Sequence, residues 1–258
     1  MDIKLTGRKA LITGGSKGLG LAIARTFWQA GADVAVMARG RDALDEAAAA
    51  IGASSGGKVL PVACDVRRAD DIAAGFAKVT QALGHIDVLV NNAGTSNAHP
   101  FETVTDAQWQ EDLDLKLFAA IRLTRLAWPH MKQQRWGRII NVLNIGAKAP
   151  RPASAPTSVT RAAGMALTKV LAGEGAAHGI LVNALLVGFI ESDQWVQRAA
   201  KLNVPVADFL ASMGKEIPLG RVGTAQEFAS VALFLASDAA SYVTGVGINV
   251  DGGRSPVI

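Results

Sequence analysis

The stretch KALITGGSKGLG, Lys9–Gly20, decides the fold. An apolar β-type run ends at Thr13, a turn follows that holds Gly14, Gly18 and Gly20, and a helical pattern opens directly after it. Glycines at such a turn let the backbone approach a pyrophosphate, whose negative charge sits at the N-terminus of the following helix. A glycine triplet alone means no more than a tight turn; the strand before it and the helix after it supply the context of a dinucleotide-binding βα unit.

Working outward, β-type runs at 9–13, 33–38, 58–63, 86–91, 137–142, 180–186 and 245–250 alternate with helical patterns. Those patterns fall at about 18–30, 41–51, 68–83, 106–134, 157–177 and 224–237. IDVLV, 86–90, has no polar alternation, as expected of a strand covered on both faces of a parallel sheet. The alternation predicts an α/β fold: one Rossmann-type, doubly wound domain over residues 1–258, its parallel sheet flanked by helices and its ligand at the carboxyl ends of the strands. Two segments break the rhythm, a loop at 93–105 and an insertion at 189–223 carrying Pro205 and Pro218. Both emerge on the ligand side, and the second is expected to be a substrate lid rather than an ordinary surface excursion.

Composition narrows the classes. Half of the 258 residues are apolar, enough for a large core. A single cysteine, Cys64, excludes an internal disulfide framework and suits a reducing cytosol. Met1 is followed by the polar DIKLTGRK rather than a signal-peptide core, and the apolar run 179–190 is too short to span a bilayer. The expectation is a cytoplasmic protein with no membrane association. The net charge of +4 comes from scattered Lys and Arg, which favours an anionic small ligand over a nucleic acid. His85, His99, His130 and His178 make no metal-binding pattern with Cys64, so no metal is expected.

T-G-x3-G-x-G at 13–20, CDV at 64–66, NNAG at 91–94, VNALLVGFIESD at 182–193, and PLGRVG and ASYVTGVGINVDGG within 218–253 together resemble the short-chain dehydrogenase/reductase family. The likeness covers essentially the whole chain and is strongest to bacterial 3-oxoacyl-carrier-protein reductases and to sugar or alcohol dehydrogenases. It implies seven parallel strands, a nicotinamide dinucleotide, a small-molecule substrate and a homotetramer or homodimer paired through the helices at 106–134 and 157–177. It further implies that Gly14, Ser16, Gly18 and Leu19 cradle the pyrophosphate. Asp65 and Val66 would border the adenine, Asn92, Ala93 and Gly94 the ribose, and Gly188 and Ile190 the nicotinamide. Where the family usually has Pro-Gly, this chain has Val187-Gly188.

The choice of nucleotide follows from charge. An NAD site places a carboxylate at the end of the second strand, to accept from the ribose 2′-hydroxyl. Here that strand ends Met37-Ala38-Arg39, with no carboxylate before Asp42, and Lys17 lies in the glycine turn. Lys17 with Arg39 resembles the family's grip on a 2′-phosphate, so NADP(H) is expected in preference to NAD(H); Arg39 stacked on the adenine is the alternative.

The reaction centre departs from the family, whose tetrad is Asn, Ser, Tyr and Lys. Aligning NVLN, 141–144, with the family's N-x-S-S puts Asn144 at the Ser position. Thirteen residues on, Thr157 takes the Tyr position, and Arg161, four further, takes the Lys position. WQEDLDLKL, 109–117, puts Lys116 where the family has Asn. A threonine hydroxyl is far less acidic than a phenol, so Thr157 is not expected to replace Tyr as the acid, and Arg161, always charged, is expected to grip ribose hydroxyls but not to relay protons. If its ammonium lies near Arg161 in a partly dry cleft, Lys116 is the group able to tune toward neutrality and serve as proton donor or base; the alternative is that it pairs with Asp112 or Asp114 or faces solvent. Three functions remain open: an NADP-dependent oxidoreductase of a carbonyl or alcohol, a non-redox enzyme that retains the nucleotide, and a catalytically silent nucleotide-binding subunit.

Overall fold

Residues 3–52 and 57–258 are described by the structure, a computed structural model, so positions 1, 2 and 53–56 of the expected domain lie outside the described residues. In chain order the elements are β1 (Lys9–Thr13), α1 (Gly18–Gln29), β2 (Asp33–Ala38), α2 (Arg41–Gly52), β3 (Val59–Ala63), α3 (Ala69–Leu83) and β4 (Val88–Asn91). They continue with β5 (Ala98–His99), α4 (Asp106–Leu113), α5 (Ala119–Gln134), β6 (Gly137–Asn144), β7 (Ala155–Pro156), α6 (Thr157–Ala176) and β8 (Ile180–Val187). The last are α7 (Asp193–Lys201), α8 (Val206–Gly214), α9 (Ala225–Ala236) and β9 (Gly247–Val250).

Seven strands form one sheet in the order β3-β2-β1-β4-β6-β8-β9. All its ladders are parallel, with Leu11 opposite both Ala35 and Leu89. The chain winds outward from β1 to β3, then returns to add β4 on the other side of β1. The crevice at that reversal is where an open α/β sheet receives its ligand. One face carries α1, α2 and α9, with Phe27, Leu44 and Phe228 sealed against the strands; the other carries α3 and α5, with Ile72, Val79 and Leu123. Covering both faces explains why the strands read as continuous apolar runs. No helix among the described residues is long and apolar enough to cross a membrane.

The structure differs from expectation in three places. The helix expected at 106–134 is α4 and α5 joined by a π-helical turn at Asp114–Phe118. A π turn is a single-turn bulge inside an otherwise continuous helical stretch, which hides it in sequence. The loop 93–105 contains β5, which pairs antiparallel with β7 and ties that loop to the start of α6. The 189–223 insertion contains α7 and α8, two nine-residue helices separated by Pro205. Around Met213, Ile217 and Val222 they hold a small apolar cluster of their own, with Phe189, Trp195 and Phe209 packed on it.

Phe228 is fully buried between α9 and the sheet. Its replacement by alanine should cost about 3–5 kcal/mol of unfolding free energy, read as a lower urea midpoint with an unchanged slope.

Candidate active site

At the carboxyl ends of β1, β4, β6 and β8 lies a cavity of about 580 Å³. The turn that opens it from β1 is anchored by Thr13, the last residue of that strand. The Thr13 hydroxyl accepts from the backbone N–H of Asn92 and of Ala93, both at 3.0 Å, and donates to the Val90 carbonyl at 3.3 Å. The Asn92 side chain returns the tie, donating to the Thr13 carbonyl at 2.9 Å and to the Gly14 carbonyl at 3.3 Å. The glycine turn and the NNAG segment are thus one hydrogen-bonded unit.

Within that turn Gly14 has φ +64°, a left-handed conformation that suits glycine. A Cβ on Gly20 would come within 2.2 Å of the Gly14 carbonyl, so the helix can pack this close only without a side chain there. Helix α1 begins at Gly18 with no side-chain cap and no acidic residue in its first turn, leaving its first N–H groups free for an anion. Gly14, Lys17, Gly18 and Leu19 line the cavity, as do Asn92, Ala93 and Gly94. Gly188 and Ile190 line it from the end of β8. This cradle fits a pyrophosphate and the ribose beyond it.

Ser16, Arg39, Asp65 and Val66 do not line this cavity. Arg39 is exposed just past β2. The Asp65 carboxylate is engaged by Arg67, through Nη2 at 2.6 Å and Nε at 3.0 Å, which holds it below the usual carboxylate range. Val66 is buried in the core. The exposed His99 bonds to Asn97 and also lies outside the cavity lining.

Asn144, Thr157 and Arg161 all line the cavity. Asn144 ends β6, and its Oδ1 is buried without a partner. Arg161 donates from Nη1 to the Val142 carbonyl at 2.7 Å, and its guanidinium takes the space that Gly94 leaves, since a Cβ there would sit 2.6 Å from Nη2.

Lys116 belongs to the π turn, is buried, and lies one layer behind Thr157 rather than on the cavity wall. Its ammonium donates to Asp112, one helical turn earlier, and to Thr157 Oγ1 at 3.0 Å. The pairing with Asp112 that sequence offered as an alternative is therefore present, together with a contact to the site. Burial, reinforced by the neighbouring Arg161 charge and opposed by Asp112, pulls the Lys116 pKa down to about 8. Thr157 Oγ1 also accepts from the backbone N–H of Asn97 at 2.9 Å, an alignment set by the β5–β7 pairing. With both lone pairs taken, the Thr157 proton is left to point into the cavity.

Sequence reasoning gave no role to Thr13, to Ser158 beside Thr157, or to Arg151 and Arg254, although the last three line the cavity. Asp112 was visible as the i,i+4 partner of Lys116. Arg254 had no signal, because only the fold brings the chain's end to the site. Trp195 lines the cavity from α7, edge-on to Phe189 with ring centroids 5.4 Å apart. Among the described residues no group of His, Cys, Asp and Glu is arranged to hold a metal.

A doubly wound parallel sheet with a glycine cradle at its reversal point defines a dinucleotide-binding domain. A family model described as enoyl-(acyl carrier protein) reductase matches residues 14–255, and the chain belongs to the short-chain dehydrogenase/reductase family. It is 34% identical over 253 residues to the 3-oxoacyl-[acyl-carrier-protein] reductase of Aquifex aeolicus, covering 98% of this chain and 99% of the relative. The L-sorbose reductase of Gluconobacter frateurii, solved with NADPH and L-sorbose, superposes with a TM-score of 0.96 at 35% identity over the whole of both chains. An NADPH-bound short-chain oxidoreductase of Pseudomonas aeruginosa PAO1, described as containing an atypical catalytic center, superposes with a TM-score of 0.93 at 36% identity, over 99% of this chain and 100% of that one.

Replacing Thr13 by valine keeps the shape but leaves the backbone N–H of Ala93 without an acceptor and that of Asn92 with the Val90 carbonyl alone. At about 1–3 kcal/mol for each unsatisfied buried group, the variant should melt earlier and bind dinucleotide more weakly, both readable by thermal shift with and without NADPH.

Proposed function

We propose that the chain is an NADP(H)-dependent oxidoreductase of small carbonyl and alcohol substrates, in which Asn144, Thr157, Arg161 and Lys116 replace the family's Ser, Tyr, Lys and Asn. The observation that carries this is the buried hydrogen-bonded line from Asp112 through Lys116 to Thr157, which ends at the cavity. NADPH, when bound, supplies the hydride. Gly14, Ser16, Gly18 and Leu19 cradle its pyrophosphate, and Lys17 and Arg39 meet its 2′-phosphate. Asp65, Val66, Asn92, Ala93, Gly94, Gly188 and Ile190 border the rest, with Arg161 on the ribose. The segment 189–223 acts as a lid, Trp195 and Phe189 giving the cavity an apolar wall.

During reduction the oxygen of the carbonyl takes the Thr157 hydroxyl proton while Thr157 Oγ1 takes one from Lys116 Nζ, leaving a neutral amine beside Asp112. Asn144 holds the substrate oxygen functions. Thr157 relays a proton without having to become an alkoxide, which separates this scheme from direct donation by Lys116. The outer faces of α5 and α6, where Leu126, Val159 and Val170 are exposed, form the interface of a homotetramer or homodimer; a single monomeric species in light scattering at micromolar concentration would count against it.

NADPH oxidation followed at the nicotinamide absorbance band across a panel of ketones and sugars tests the activity. Tight NADPH binding with no turnover of any ketone, sugar or alcohol would refute it. Lys116→Met and Thr157→Val should each lower kcat by about a hundredfold or more while NADPH binding is retained. A Thr157→Val protein with wild-type kcat would break the relay.

The pH profile gives the sign. Lys116 must carry its proton for reduction, so reduction should be flat below and fall as pH rises through about 8, whereas alcohol oxidation should rise there. In Lys116→Met that transition should vanish. NADPH should bind about tenfold or more tightly than NADH, a difference of about 1.4 kcal/mol. Arg39→Ala with Lys17→Ala should erase the preference.

A further inference from the structure

Among the described residues the charges that line the cavity are Lys17, Arg151, Arg161 and Arg254, with no aspartate or glutamate beside them. Lys17 and Arg161 belong to the proposed dinucleotide contacts. The other two have no task there. Arg254 follows the Asp251–Gly253 turn, has a side chain nine-tenths buried, and stacks its guanidinium 3.6 Å from the centre of the Phe189 ring at the base of the 189–223 segment.

Stacking leaves the edge of a guanidinium available for planar anions. Nη2 of Arg254 reaches Glu216 at 3.1 Å, but that carboxylate is largely exposed and stands outside the cavity lining. Nε of Arg254 is buried with no partner. The nearby Asp251 does not compensate it, because its two oxygens accept from the backbone N–H of Gly253 at 3.0 Å and of Ser255 at 2.7 Å. Arg151, on the segment that leads to β7, is exposed. Its guanidinium makes no ion pair among the described residues, and Ser154, which donates to its backbone carbonyl, lines the cavity beside it.

We propose that the substrate carries an anionic oxygen group, a carboxylate or a phosphate, held by Arg254 and Arg151 while its carbonyl faces Asn144 and Thr157. The inference rests on the oxidoreductase reading for the position of the carbonyl, though not for the anion contact itself. A buried donor with no partner, in a lining whose described charges are all cationic, is costly without an anion and satisfied with one. The hydroxyl and amide groups of Ser96, Ser154 and Gln197 on the same wall suit a small polar molecule rather than a long acyl chain.

Isothermal titration of the NADP+-saturated protein tests this with two matched pairs: β-hydroxybutyrate against its methyl ester, and glycerol phosphate against glycerol. At least one anion should bind about tenfold or more tightly than its neutral partner, and the pair that shows it distinguishes carboxylate from phosphate. Arg254→Met and Arg151→Met should each remove most of that preference, with circular dichroism melting to show that the variants fold. Because Arg254 is buried, the exposed Arg151 keeps the test decisive if the first variant unfolds. Equal affinities within both pairs, no binding of either anion, or a preference that survives Arg151→Met, would overturn the proposal. NADPH turnover of acetoacetate and its methyl ester separates the two readings. Anion preference in binding without any turnover leaves the anion site standing and removes the reductase. Equal turnover of acid and ester with no binding preference does the reverse.

Discussion

The β1–β4 ladder is the pairing on which the site depends. A parallel sheet sends all its strands the same way, so the ends of β1, β4, β6 and β8 share one edge. Where the winding reverses between β1 and β4, the connections diverge and leave a crevice. Thr13 anchors that crevice by accepting the N–H groups of Asn92 and Ala93. If β1 and β4 slipped by one residue, the hydroxyl would leave the crevice for the opposite face of the sheet. The glycine turn and the NNAG segment would then lose their common anchor.

Charge within the crevice is arranged against the usual preference of proteins. Three ionisable groups, Asp112, Lys116 and Arg161, sit close together in a largely dry region, and desolvation is the largest influence on both cations. A buried pair of this kind gains little net stability, because the cost of removing two ions from water is of the order of several kcal/mol per ion. Stability is therefore a weak explanation for Lys116. A role in proton transfer is a stronger one, since burial and the Arg161 charge together lower the ammonium to about 8, where it gives up a proton more readily.

Much of the architecture could be read from the chain. Lys9–Thr13 and Asp33–Ala38 fall at the expected residues, because strands buried on both faces leave an unbroken apolar signal. What escaped depends on contacts far apart in sequence. The π turn that carries Lys116 is a single turn within an otherwise helical stretch, so it read as part of one helix. Helices α7 and α8 were hidden because Pro205 separates two segments each too short to show a convincing period. At the site, Asn144, Thr157 and Arg161 were picked out by the resemblance to the family's tetrad, and the fold puts all three on the cavity lining. The position of Lys116 behind Thr157 was not, because it follows from the packing of the π turn against the start of α6, a contact between residues 41 apart in sequence.

That position changes what a threonine can do at the site. Taken alone, its hydroxyl is too weak an acid to protonate an alkoxide precursor and recover, and sequence reasoning set it aside on that ground. Two donors on its oxygen alter the case. The Asn97 N–H and the Lys116 ammonium occupy both lone pairs and orient the remaining proton away from them. In the proposed relay, the acidity that matters is that of the ammonium, and Thr157 contributes position. A phenol combines acidity and reach in one side chain. The proposed relay divides the two: Lys116, buried and paired to Asp112, is the acid, and the Thr157 hydroxyl is the group that meets the substrate. The division also frees volume, because a threonine leaves open the space a tyrosine ring would fill. That space lies along the same wall as Asn144 and Ser158, where a polar substrate would be received.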